Sequence, residues 1–204
     1  MRPLPAAQVA AFALASLALG GVPAWADIND GLRAYQNGDY VAAYDEFSAA
    51  AADNVPEGQY NLGLLYFFGL GTVQNYASAF ESFQRAATND YAAAQFMLGA
   101  MYERGEGIPA SPAVAALWYE LAAQNGHVDA QYRAGMLGAN LDDPTVDRLR
   151  GLVWIMLAAS RGHTDAQANM AALSRSLTPS EISAASMLAA VIETRLRTDA
   201  GDAP

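Results

Sequence analysis

The chain has 204 residues, 53% of them hydrophobic and 10% aromatic, enough for one domain with a core of its own. It has no cysteine and all 11 basic residues are arginine, which excludes disulfides, iron–sulfur clusters, cysteine zinc sites and nucleophilic lysine or thiolate. A formal net charge of −10 repels phosphate backbones and anionic headgroups, so nucleic acid is excluded as a partner class.

Residues 1–26 read as a signal peptide. Arg2 supplies a thin positive start, and Val9 to Leu19 is an uncharged run shorter than the ~20 residues of a spanning helix. Gly20, Gly21 and Pro23 break it, and Ala24-Trp25-Ala26 gives the small-x-small pattern of a cleavage site. The expectation is export, a mature start at Asp27, a periplasmic location and no stable membrane insertion after cleavage.

The remainder repeats with a step of 36 residues. Gln59-Tyr60-Asn61-Leu62-Gly63 returns as Gln95-Phe96-Met97-Leu98-Gly99 and as Gln131-Tyr132-Arg133-Ala134-Gly135, with a decayed copy at Gln167. Asp39, Asn75, Ser111 and Asp147 stand one period apart ahead of apolar segments, and all four residue types favour the helix N-cap. Each period therefore predicts two helices, A and B. In the first full unit, helix A spans about 56–68 and stops at the Gly69-Leu70-Gly71 loop; helix B spans about 76–88, with Phe80, Phe83 and Ala87 as its buried stripe. Ser111-Pro112 places a cap directly before a first-turn proline. Gly63, Gly99 and Gly135 lie inside helix A, where glycine costs up to ~1 kcal/mol. Their shared register predicts close approach of helix B, through the small pairs Ala86-Ala87 and Ala122-Ala123.

At the C-terminus, Thr178-Pro179-Ser180-Glu181 is a capping box that opens a helix with Ile182, Ala185, Ala189, Ile192 and Leu196 on one face. Ser186, Glu193, Arg195 and Arg197 should point outward, making this a one-sided cap for the end of a stack. Residues 198–204 have nothing to bury and read as a disordered tail.

The pattern of Ala94, Leu98-Gly99, Tyr102, Gly105, Gly107, Trp118-Tyr119, Ala122-Ala123 and Gly126 resembles the SEL-one-like repeat (SLR) family, a branch of the tetratricopeptide superfamily. The third unit keeps Ala130, Gly135, Trp154 and Ala158-Ala159 but has Leu141-Asp142-Asp143-Pro144 in place of the glycine loop. The expected architecture is an all-α, right-handed α-solenoid of helix-turn-helix repeats closed by a C-terminal capping helix. Its parts are a tetratricopeptide-like unit at 27–55, repeats at 56–91, 92–127 and 128–163, and a degenerate repeat with the cap at 164–197.

Catalytic chemistry is sparse. His127 and His163 are the only histidines and occupy equivalent loop positions of successive units, which favours repeat structure over a metal or acid–base pair. Asp45-Glu46 and Asp142-Asp143 read as solvated surface, the glycine loops lack the strand and lysine of a phosphate loop, and Trp118, Tyr119 and Trp154 read as core. No catalytic residue, metal or cofactor is expected.

One feature exceeds plain repeat structure. The first unit ends helix A in Tyr66-Phe67-Phe68, where the second has Tyr102-Glu103-Arg104. If the sister unit is polar there, Phe67 and Phe68 should face water, together with Leu64 and Tyr60 one and two turns back. Phe96 and Tyr132 repeat Tyr60 along the chain, and Arg104 repeats Phe68. In the superfamily, the A helices line a concave groove for partner peptides. The resemblance thus implies a scaffold or regulator of an envelope complex or receptor, not an enzyme, binding another protein or peptide through Tyr60, Leu64, Phe67, Phe68, Phe96, Arg104 and Tyr132. The alternatives are a cell-wall or β-lactam-related hydrolase or binding protein, as some relatives suggest, and a self-associating structural oligomer.

Overall fold

The computed structural model describes residues 28–139, 146–173, 175 and 177–199. The signal peptide, the 141–144 turn and residues 200–204 lie outside them. Ten helices are described: α1 (Ile28–Gln36), α2 (Tyr40–Ala52), α3 (Pro56–Phe68), α4 (Tyr76–Ala87), α5 (Ala92–Arg104), α6 (Pro112–Gln124), α7 (Val128–Ala139), α8 (Val146–Ser160), α9 (Thr164–Leu173) and α10 (Pro179–Asp199). They pair as α1 with α2, α3 with α4, α5 with α6 and α7 with α8, and each pair stacks on the next, the pattern of a solenoid.

Local chemistry sets the boundaries. Gly69 and Gly105 end α3 and α5 in the left-handed region, at φ 68° and 72°, where an L side chain is strained. Asp39 and Asn75 cap α2 and α4 by accepting from the N–H groups of Ala42 and Ser78, both at 3.1 Å. Ser111 holds the N-cap position of α6 without a side-chain bond, so the proline after it marks that start. α8 opens at Val146, one residue before the expected cap Asp147.

The helical glycines are explained by a large helix B side chain, not by the small pairs the sequence suggested: an aromatic ring at Gly63 and Gly99, and Ile155, 2.6 Å from a Cβ, at Gly135. A Cβ on Gly63 would lie 2.6 Å from the Phe83 ring, and one on Gly99 the same distance from the Tyr119 ring. Helix A comes close enough for a large helix B side chain to lie across its backbone. The alanines serve the next junction instead: Ala50, Ala86, Ala122 and Ala158 are buried, as are Gly58, Ala94, Ala130 and Ala166 at the start of the following A helices. Gly31 meets Phe47 as Gly63 meets Phe83, so the N-terminal unit shares the design with a turn four residues shorter.

The recurrent glutamines stitch the pairs together. Gln95, Gln131 and Gln167 donate from Nε2 to the carbonyls of Ala87, Ala123 and Ala159, at 3.1, 3.3 and 3.1 Å, at the end of the preceding B helix. Helix C-termini leave carbonyls without intrahelical donors, and these side chains supply one across the junction.

The capping box of α10 forms as expected: Thr178 N–H donates to Glu181 Oε2 at 2.8 Å and Glu181 N–H to Thr178 Oγ1 at 3.2 Å. Ala185, Ala189 and Leu196 are buried. The helix lies against α8, and Leu196 reaches the loop after α6 at Gly126. It runs to Asp199, beyond the expected end of order at 197. Met187, Leu188 and Val191 form a second, exposed apolar stripe that sequence reading missed.

Candidate functional site

The candidate face is carried by α3, α5 and α7, the A helices of the three repeats. Tyr60, Phe96 and Tyr132 occupy one register on them and are half-buried. Each ring meets the residue just ahead of the next A helix: Tyr60 meets Tyr91 (centroids 5.2 Å apart), Phe96 stacks on His127 (4.5 Å, 11° between planes) and Tyr132 lies over His163 (4.4 Å). The same rings touch helix B through Phe83 and Tyr119, and the Tyr132 hydroxyl accepts from Asn169 Nδ2 at 2.9 Å. The structure therefore brings these three into one row whose inner edges are engaged in repeat packing. Burial raises the pKa values of Tyr60 and Tyr91, so both phenols stay protonated at neutral pH.

His127 and His163 have a role that the sequence did not reveal. Each is a helix N-cap: Nδ1 of His127 accepts from the Ala130 N–H at 3.3 Å, and Nδ1 of His163 from the Ala166 N–H at 3.2 Å. Desolvation lowers the His127 pKa against the opposing pull of Asp129, which keeps that nitrogen free to accept. Nε2 of His163 lies 3.4 Å from Asp129. The available signal was the aromatic residue 31 positions before each histidine. Among the described residues, no group of three His, Cys, Asp or Glu side chains converges as a metal site would require.

Phe67 corrects the sequence expectation. It is 7% exposed and packs edge-on against Tyr76 at 5.2 Å, with Phe83 beyond it. Phe67 lies one turn after Gly63 on the face that meets helix B, so helical geometry directs it inward. The inference from the sister unit failed because Glu103 is polar for an internal reason: it accepts the Tyr119 hydroxyl at 2.7 Å. Desolvation first, and then this bond, raise the Tyr119 pKa. Phe68 is 56% exposed and Leu64 half-buried. Arg104 is exposed but already paired with Glu106 at 2.9 Å, and Arg133 lies 3.6 Å from Glu103. Tyr119 and Trp154 are core as expected, while Trp118 is only half-buried.

Among the described residues, no helix is long and apolar enough to cross a membrane. No curated protein matches the chain. Its fold is similar to that of a protective antigen present in uropathogenic Escherichia coli strains displaying an SLR fold, at 26% identity and a TM-score of 0.65 over 78% of this chain and 36% of that one. It is also similar to a Sel1 repeat protein from Oxalobacter formigenes, at 31% identity and a TM-score of 0.65 over 70% of this chain and 59% of that one. The chain thus spans less than two thirds of either relative. The Sel1 repeat model matches residues 56–91, 92–127 and 128–163. Sel1 repeats are in general a non-catalytic scaffold fold that mediates protein–protein interaction. Three consecutive matches, spanning more than half of the chain, establish that the chain belongs to the Sel1 repeat family.

Proposed function

We propose that this protein is an exported, periplasmic scaffold that binds another protein or peptide of the cell envelope, a complex component or a receptor, along the A-helix face of its repeats. The observation that carries the reading is Phe68, a large apolar side chain 56% exposed at the end of α3. It adjoins Leu64 and the half-buried row of Tyr60, Phe96 and Tyr132. Aromatic residues of this kind dominate binding energies at interfaces. Phe67 enters as a support that holds Phe68 from beneath, with ring centroids 5.0 Å apart. Arg104 and Arg133 give the face a polar continuation, each balanced by a glutamate.

The experiment has two parts. N-terminal sequencing of protein recovered from the soluble envelope fraction should begin at Asp27, and an intact Met1 there would overturn export. Phe68→Arg should melt within about 1 kcal/mol of the parent, because the exposed ring loses only its edge contact with Phe67. It should also lose the partners that the full chain captures from envelope extract. Undiminished capture by the folded variant would place the binding surface elsewhere.

A further inference from the structure

The A-helix face carries its surplus charge along one edge. Glu57, Tyr60, Leu64 and Phe68 stand at i, i+3, i+7 and i+11 of α3, so a carboxylate heads the stripe whose far end is the exposed Phe68. α7 repeats the order with Asp129, Tyr132 and Met136, and α9 opens with Asp165 one period further on. α5 has Ala93 at this register, so a helix start here folds without an acid.

No formal positive charge offsets these three acids. Glu57 is half-buried and Asp165 exposed, and neither has a basic partner among the described residues. Asp129 is 63% exposed and lies 3.4 Å from Nε2 of His163. Nδ1 of that ring already accepts from the Ala166 N–H, so the single ring proton sits on Nε2, the imidazole is a neutral donor, and Asp129 keeps its charge. The arginines of the face are balanced in place, Arg104 by Glu106 and Arg133 by Glu103. Arg85 and Arg161, at the B-helix ends, donate to the carbonyls of Ala51 and Gly126 and pair with none of the three acids. Rings adjoin the acids: Tyr132 lies over His163, and Tyr60 meets Tyr91, whose pKa is raised by desolvation first and then by the charge of Glu57. A carboxylate beside aromatic rings is complementary to an ammonium or guanidinium whose methylene stem lies along the rings.

We propose that the segment received by this face is basic and apolar, with lysine or arginine side chains along the edge of Glu57, Asp129 and Asp165 and apolar side chains against Leu64 and Phe68. The proposal rests on the A-helix face being the binding surface and adds the chemistry of what it binds. The net charge of −10 on the chain also steers a cationic segment toward it.

The test titrates the full chain with a capped peptide of repeated Lys-Leu-Ala triplets and with its Glu-Leu-Ala counterpart. The lysine peptide should bind at least about tenfold more tightly, the scale of two or three exposed charge pairs. Glu57→Gln with Asp129→Asn should weaken it about three- to tenfold. Asp45→Asn with Glu81→Gln, exposed acids of the B helices α2 and α4, removes the same net charge and should change little. No binding of the lysine peptide at millimolar concentration, equal binding of the glutamate peptide, or equal losses in the two double variants would overturn the proposal. So would undiminished binding by folded Glu57→Gln/Asp129→Asn; if that pair does not fold, Asp129→Asn alone, an exposed isosteric change, decides in the same way. Phe68→Ser separates this from the scaffold reading. If it loses the lysine peptide while the neutralised variant keeps it, the basic partner is overturned and the A-helix face stands; if neither variant weakens binding, both readings fall.

Discussion

The first and second repeats solve one packing problem in two chemistries. In both, a glycine of helix A admits a ring from helix B, and the residue one turn after the glycine packs beside that ring. The first repeat uses Phe67 beside Phe83; the second uses Glu103, which accepts from the hydroxyl of Tyr119. The members of each pair are matched. A tyrosine hydroxyl at this depth needs an acceptor, and a phenylalanine offers a carboxylate nothing to accept. Polarity at an equivalent position in a sister repeat is therefore weak evidence of exposure, because the partner can change with it.

The largest expected effect comes from breaking that match. Phe67→Glu sets a carboxylate against Phe83 and removes a buried ring, which should cost about 3–5 kcal/mol in chemical denaturation. Phe83→Tyr added to it rebuilds the pair of the second repeat. The double variant should be about 1–2 kcal/mol more stable than the sum of the two single changes. Strict additivity would show that the two positions are not coupled and that the comparison is wrong.

The glycine register offers a finer contrast. Gly99→Ala should cost about 1–3 kcal/mol by overpacking, despite the better helix propensity of alanine. Gly63→Ala meets its ring at the same 2.6 Å, yet Phe83 has no hydroxyl to tether it, whereas Tyr119 is held to Glu103. The Gly63 variant should therefore melt higher than the Gly99 variant. The reverse order would mean that backbone spacing, not ring mobility, sets the cost.

These contrasts also mark what the sequence made legible. Helix ends were readable because their causes are local: left-handed Gly69 and Gly105, Pro112 in a first turn, Asn75 as a cap, Thr178 with Glu181 as a box. The glycine register announced a close approach, but which residue approaches depends on rotation of helix B, and the large Phe83 and Tyr119 took the place assigned to the alanines. Of the candidate face, the register of Tyr60, Phe96 and Tyr132 was legible, and the burial of Phe67 was not. The histidine caps escaped notice because an imidazole accepts at an N-cap only through an unprotonated Nδ1, and the sequence does not say which ring nitrogen carries the proton. The exposed stripe of Met187, Leu188 and Val191 was hidden by a buried stripe that explained α10 sufficiently by itself.

The glutamine stitches separate the same two repeats at smaller scale. Gln95 donates to Ala87 and accepts from Asn125 Nδ2 at 2.9 Å, so Gln95→Ala removes two internal hydrogen bonds and should cost about 1–3 kcal/mol. Gln59 is equally buried, but the carbonyl of Ala51 at its junction receives Arg85 Nη2 at 2.8 Å, and Gln59 Oε1 has no partner among the described residues. Gln59→Ala should therefore lose less. Equal losses in thermal denaturation would reduce the glutamines to space-filling.

The smallest effect concerns the junctions. Tyr91 precedes α5 without a side-chain cap, while His127, one period later, caps α7 through Nδ1. Burial lowers the His127 pKa, with Asp129 pulling the other way, so the native value lies below the 6.5 of an unfolded histidine. As pH falls, the unfolded chain takes up this proton first. The stability tied to His127 is thus complete above about pH 6.5, declines as pH drops from there to the lowered native value, and is flat below it. His127→Tyr copies the earlier junction and deletes the titration. At pH 7.5 the variant should be less stable by up to about 1–2 kcal/mol, the scale of a lost N-cap. Toward pH 5 the gap should narrow, because only the parent pays the proton penalty there. A gap that stays constant across this range would mean that the His127 ring titrates alike in the folded and unfolded chain, and that its stacking on Phe96, not its cap, distinguishes the two junctions.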